Sequence, residues 1–156
     1  AAHFGMRFSF AHFINPSGGA KAVKIYKQRF QPSVNLKIPD ATMAIFYFCS
    51  VVEEQVQQQR AVMDHRFLQF EKGIFEAITY EDIKDITYTD YELERIKVNR
   101  LRTVIGNKEQ VQERLLALAA EYEVDEIMLV NIASHFEERL RSYELAAELF
   151  ELVQQE

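Results

Sequence analysis

Cysteine is almost missing from this sequence: Cys49 stands alone among 156 residues. No internal disulfide can form, and a reducing cytoplasm is the expected compartment. Long apolar runs are also missing. Stretches such as Met43 to Cys49 fall far short of the roughly 20 residues that a membrane helix requires, so no membrane association is expected. Positive charge is in deficit, with 18 Lys and Arg against 24 Asp and Glu and a formal net charge of -6. Such a field repels phosphate polymers and anionic headgroups, which argues against nucleic acid as a partner. No apolar stretch with a basic flank marks a signal peptide at the amino end.

Several chemical signatures are absent as well. There is no G-x-S-x-G elbow and no phosphate loop. His3, His65 and His135 are scattered, no two at i, i+4 with a third ligand in reach, so no metal site is expected. The acidic residues Asp82, Asp85, Asp90, Glu92 and Glu94 have the character of a solvated surface rather than of a paired acid and base. Catalytic residues are therefore unknown at this level.

What the sequence does contain is an alternation of strand-like and helix-like segments. Ala1 to Gly5 has the form of a helical last turn closing on a glycine cap. Arg7 to Ile14 has strand character and stops at Asn15-Pro16-Ser17-Gly18-Gly19. An amphipathic helix is expected from Ala20 to about Phe30, carrying Val23, Ile25 and Tyr26 on one side. Ala41 to Cys49 is a nearly unbroken apolar run, suited to a strand covered on both faces. Helical spacing resumes from Glu53 to Phe70 and ends at Gly73. Residues 74–105 break into Thr-Tyr and Asp-Tyr pairs around a helical piece near Glu92 to Val98, and form an insertion with too few apolar residues for its own core.

Asn107 with Gln110 matches a capping box, followed by Val111, Leu115, Leu118 and Tyr122 at helical intervals. Glu126 to Ile132 forms a third strand. Ser134 with Glu137 repeats the capping signature ahead of a last helix bearing Leu140, Tyr143, Leu145 and Leu149. Short buried strands alternating with helices imply right-handed crossovers and a parallel sheet, an α/β class in a single unit over residues 1–156. Three strands cannot close on themselves. They leave two unpaired edges and an apolar face that something else must cover.

Four blocks carry a resemblance: Phe8-Ser9-Phe10-Ala11-His12-Phe13, Arg102 to Val111, Val124 to Val130, and Arg139-Leu140-Arg141-Ser142-Tyr143-Glu144-Leu145-Ala146. In this order and spacing they resemble the bacterial-luciferase-like flavin-dependent monooxygenases. The resemblance implies a partial (β/α)8 TIM barrel, in which this chain supplies strands six, seven and eight of a barrel about twice its length. The long insertion follows the seventh strand. It further implies reduced FMN and molecular oxygen acting on a small organic substrate, a separate flavin reductase as partner, and a homo-oligomer. An isolated fragment of this kind is expected to be inactive.

Sites in such barrels lie at the carboxyl ends of the strands, here near His12 to Asn15, Phe48 to Ser50 and Asn131 to Ser134. By resemblance the flavin-binding candidates are Phe10, Ala11 and His12, and the substrate-pocket candidates are Phe13 and Asn131. Each has a structural alternative. His12 could instead bond a neighbouring backbone group, Phe10 and Phe13 could be core, and Asn131 could cap a turn. Two other functional readings stand beside the enzyme fragment: a non-catalytic half-barrel that self-associates through its open edges, and an unrelated small α/β binding domain.

Overall fold

Short β-rich runs separated by amphipathic segments build a wholly parallel sheet in the computed structural model, which describes residues 1–152. The last four residues of the expected single unit lie outside the described residues. A 3-10 turn (Ala2–Phe4) closes on Gly5, whose φ of 58° and crowded surroundings require a residue without a Cβ. The elements then run β1 (Phe8–Ala11), α1 (Gly19–Arg29), β2 (Ala41–Cys49), α2 (Glu53–Glu71), α3 (Asp90–Asn99), β3 (Thr103–Gly106), α4 (Lys108–Tyr122), β4 (Glu126–Val130) and α5 (Phe136–Leu149).

The expectation of three strands needs correction. A fourth, β3, lies at the end of the segment assigned to the insertion and pairs with the last residues of β2. The same segment holds α3, whose capping box joins Thr89 and Glu92 reciprocally. β1 is also shorter than the run from Arg7 to Ile14 suggests, because the chain turns after Ala11.

Register fixes the layout. β1 pairs with residues 41–44 of β2, β4 with 42–46, and β3 with 46–49. Phe46 is partnered by Val130 and by Thr103, and two strands cannot occupy one side of the same residue at the normal spacing of about 4.8 Å. β3 therefore continues the line of β1 along one side of β2, and β4 occupies the other. The sheet is three staves wide, with the outer sides of β1 and β4 unpaired among the described residues.

Side chains alternate across such a sheet. Phe8, Phe10, Met43, Ile45, Tyr47, Cys49, Ile127 and Leu129 join Val23, Val111, Leu115, Leu118 and Leu145 in one apolar core beneath α1, α4 and α5. The Asn107 and Gln110 capping box that starts α4 is formed in both directions, at 3.0 and 3.1 Å. The second expected capping box is not formed. α5 begins after His135 without a side-chain cap, and the Ser134 hydroxyl instead donates to the Ile78 carbonyl at 3.3 Å.

The opposite face is treated differently along its length. α2 covers the carboxyl half, where Phe48, Met63 and Phe67 are buried. Two arginines hold it there, Arg60 donating to the Ile105 carbonyl (2.8 Å) and Arg66 to the Ile132 carbonyl (3.0 Å). The amino half of this face, with Ser9, Ala11, Thr42, Glu126 and Met128, has no helix over it among the described residues; Ser9, Glu126 and Met128 are exposed.

Candidate functional site

The carboxyl ends of the strands converge beneath α2 and the connection that follows it. His12, just past β1, is 4% exposed. Its Nε2 lies 2.7 Å from the Leu101 carbonyl and its Nδ1 2.6 Å from the Tyr122 hydroxyl. A carbonyl can only accept, so Nε2 carries the proton, and when the imidazole is neutral the tyrosine donates to Nδ1. This arrangement needs a neutral imidazole. Burial depresses the His12 pKa, partly countered by the bond to Leu101. Both ring nitrogens are thus engaged by the protein, and His12 links β1 to α4 and to the residues leading into β3.

The other sequence candidates separate by strand parity. Phe10 points into the helix layer, 5.9 Å from the Tyr122 ring, and packs against the main core. Gly19 is small for the same reason, because a Cβ there would overlap both Tyr122 and Phe10. Ala11 has the opposite parity and is half-buried on the other face. Phe13 joins it there, its ring 5.1 Å from Phe46, which in turn lies 5.8 Å from Phe67. Asn131 closes a turn, its Oδ1 accepting from the Ala133 amide at 3.0 Å, while its Nδ2 is sealed without a partner. The structure brings Ala11 and Phe13 together with Phe46, and does not bring Phe10, His12 or Asn131 to that surface.

Residues that sequence reasoning missed are Phe46 and Met128, which extend this wall, and Tyr122, the partner of His12. Parity along β2 and β4 carried the signal for the first group. Nothing local in the sequence marks Tyr122, since the contact spans 110 residues.

Other chemistry around the site is structural. Asp64, 6% exposed, receives a forked contact from Arg100, with Nε 3.0 Å from Oδ1 and Nη2 2.6 Å from Oδ2. The pair ties α2 to the end of α3. Burial raises the Cys49 thiol pKa, and the Cys49 backbone amide donates to Ser142 at 2.9 Å. No group of three or more His, Cys, Asp or Glu among the described residues is placed to hold a metal ion. No helix among them is long and apolar enough to cross a membrane.

No protein-family profile matches the chain. It is 48% identical over 152 residues to the uncharacterized protein YwcH of Bacillus subtilis (strain 168), a match covering 96% of this chain and 46% of that protein. It is 24% identical over 152 residues to a luciferase-like monooxygenase of Escherichia coli (strain K12), covering 97% and 45% respectively. Among solved structures, apo-MsnO8 superposes with a TM-score of 0.83 at 25% identity, over 99% of this chain and 48% of that one. Luciferase-like monooxygenases are thus among its relatives. A monooxygenase from Streptomyces bottropensis, RslO1, shares the fold at a TM-score of 0.63 and 18% identity, over 92% of this chain and 40% of that one. The matches to a luciferase-like monooxygenase and to MsnO8 across nearly the whole chain favour such a relative over an unrelated domain. The chain spans about half the length of the curated relatives it matches.

Proposed function

We propose that this chain is the C-terminal part of a flavin-dependent monooxygenase, a portion of a (β/α)8 barrel containing three of its eight staves. The observation that carries the reading is the uneven sheet: all pairings are parallel, one face is sealed by helices, and among the described residues two outer edges and half of the other face remain uncovered. A longer relative has the chain needed to supply the remaining staves. In that setting the uncovered face becomes the barrel interior, and α2 lies over its carboxyl mouth, where barrel enzymes hold their substrates.

Reduced FMN is the cofactor this reading requires, and the residues present fit part of it. Ala11, Phe13, Phe46 and Met128 form an apolar wall suited to one side of a planar ring. Phe10, His12 and Asn131 are committed to packing and turn formation, so their part is to position the strand ends. The phosphate would be held by the portion of a full-length relative that this chain does not span. Bound there, reduced FMN would supply electrons to molecular oxygen for oxidation of a small organic substrate. This chain's residues would exclude water from one side of the ring. The same reading carries a flavin reductase as donor, a cytoplasmic setting and a homo-oligomeric parent.

The test compares the 156-residue chain with a chain extended to the relatives' length, each given reduced FMN, oxygen and a long-chain aldehyde. The short chain is expected to show no aldehyde-dependent turnover and the long chain to show it. Robust turnover by the short chain would overturn the partial-barrel reading. Failure of the long chain to bind reduced FMN would overturn the flavin reading.

A second reading, a non-catalytic half-barrel that self-associates, is favoured by the apolar groove beside the β4 edge. Leu115, Leu116, Ile127, Leu129 and Phe150 line about 430 Å³ of open space there. Light scattering decides it. A dimer without bound flavin supports self-association, and a monodisperse monomer at high concentration excludes it.

A further inference from the structure

The arginines around the underside of α2 are not all paired alike. Arg95 grips Glu71 through Nε (3.1 Å) and Nη2 (2.7 Å), and Arg100 grips Asp64 in the same forked manner. Arg60 and Arg66 donate to main-chain carbonyls instead. Arg102, at the entry to β3, has neither kind of partner among the described residues. Its Nε is sealed from solvent without an acceptor, although the residue as a whole is only half-buried. Buried donors are nearly always paired, so an exception calls for an explanation. The guanidinium carbon lies 5.4 Å from the centre of the Phe67 ring, which is itself buried. Packing rather than hydrogen bonding therefore holds this side chain, and its terminal N–H groups are left for another molecule.

The surroundings indicate what kind of molecule that is. The Leu101 carbonyl is tied to His12 at 2.7 Å, which brings the chain at Arg102 alongside the end of β1 and Phe13. Phe67 lies 5.8 Å from Phe46, and Phe46 lies 5.1 Å from Phe13. The apolar wall thus ends on the Arg102 charge. Glu71 feels that charge, yet its carboxyl is held below its ordinary pKa mainly by the hydrogen bond from Arg95. Arg95 and Asn99 (2.8 Å) already occupy its oxygens. Arg60, Arg66 and Arg102 therefore bring positive charge to the strand ends with no carboxylate bonded to it, in a chain whose net charge is -6. Such a local surplus attracts an anion. A planar carboxylate meets a guanidinium fork through two parallel hydrogen bonds, and an apolar body behind it would lie along Phe46 and Phe13.

We propose that Arg102 binds the carboxylate of a small organic acid whose apolar body rests on the wall of Phe13 and Phe46, and that this acid is the substrate class of the site. Its standing as substrate rests on the flavin-dependent monooxygenase reading; its binding to this chain does not.

The 156-residue chain labelled with nitrogen-15 would be titrated, without flavin and at constant ionic strength, with hexanoate, hexan-1-ol and acetate. Saturable shifts of the Arg102 Nε–H and of the Phe13 and Phe46 amides are expected with hexanoate. Hexan-1-ol keeps the body and lacks the charge, and acetate keeps the charge and lacks the body. Each should bind at least about tenfold more weakly. Arg102→Met keeps an unbranched side chain over Phe67 and should reduce hexanoate to the affinity of the alcohol. No saturable shift, an alcohol that binds as tightly as the acid, or inorganic phosphate that binds more tightly than hexanoate would each overturn the proposal. So would unchanged hexanoate binding by a folded Arg102→Met chain. The comparison of ligands on the unaltered chain stands even if that variant does not fold. Because no flavin is present, a failed titration counts against the carboxylate alone, whereas failure of the longer chain to bind reduced FMN counts against the flavin reading alone.

Discussion

The two faces of the sheet are built to different standards. Toward α1, α4 and α5, Val23, Met43, Ile45, Val111 and Leu118 have no exposed surface at all. On the other side burial is fullest where α2 meets the sheet, at Phe48 of β2 and Phe67 of α2, and fails toward the amino end, where Met128 is 53% exposed. Apolar burial contributes roughly 25 cal/mol per Å², so most of the stability of this chain resides in the first face. The difference teaches where the structure is sealed by its own elements and where its described residues leave it open. The sealed face holds the elements together, and the half-open face is where a further part of a protein, or a ligand, can still gain contact.

Breaking the sealed face should have the largest effect. Leu118→Ala leaves a cavity among fully packed neighbours and is expected to cost about 2–5 kcal/mol. A lower denaturation midpoint with an unchanged denaturant slope would establish it, whereas a cost below about 1 kcal/mol would mean the face is looser than its packing implies. Next comes the covering helix of the other face. Arg100→Leu strands the Asp64 carboxylate, which is 6% exposed, without its forked partner. The expected cost is about 2 kcal/mol, tempered by the half-exposed arginine, and hydrogen exchange should accelerate in α2 and α3 before it does in α4.

His12 links both regions, and its expected effect is smaller. His12→Phe removes the contacts to Tyr122 and Leu101 and should cost about 1–2 kcal/mol. The pH dependence has a definite sign. The folded-state pKa of His12 lies below its ordinary value of 6.5, so below that pH the unfolded chain binds the proton more readily. The His12 contribution is therefore fully present above pH 6.5 and declines as the pH falls toward the depressed folded-state value. Denaturation midpoints between neutral pH and pH 5 should fall more steeply for the native sequence than for His12→Phe. Parallel profiles would show that the imidazole is not held neutral.

Much of this fold was legible in the sequence, for identifiable physical reasons. The run Ala41 to Cys49 coincides with β2, because a central strand buried on both faces has no polar interruption to blur its ends. The box at Asn107 and Gln110 marked the start of α4, because capping is a local interaction that four residues specify by themselves. β3 was lost because four residues leave too little room for periodicity, and because its strand character depends on pairing with residues more than fifty positions away. The Ser134 signature misled for a related reason: a distant carbonyl, that of Ile78, captured the hydroxyl. At the site, the sequence located the strand ends but not which side chains shared a face. Phe10 and Ala11 are neighbours in the chain and lie on opposite sides of the sheet.

The smallest effect should come from the half-open face, and its smallness is informative. Met128 sits on β4 with more than half its surface in solvent, so Met128→Ser removes little burial and should change the stability of this chain by less than about 0.5 kcal/mol. The Leu118 and Met128 variants thus separate the two faces by a measurable ratio. If Met128→Ser instead lowers the denaturation midpoint, and does so more at high protein concentration than at low, a second copy already covers that face. If the midpoint is unmoved at every concentration, no second copy covers Met128 and the half-open face is free in this chain.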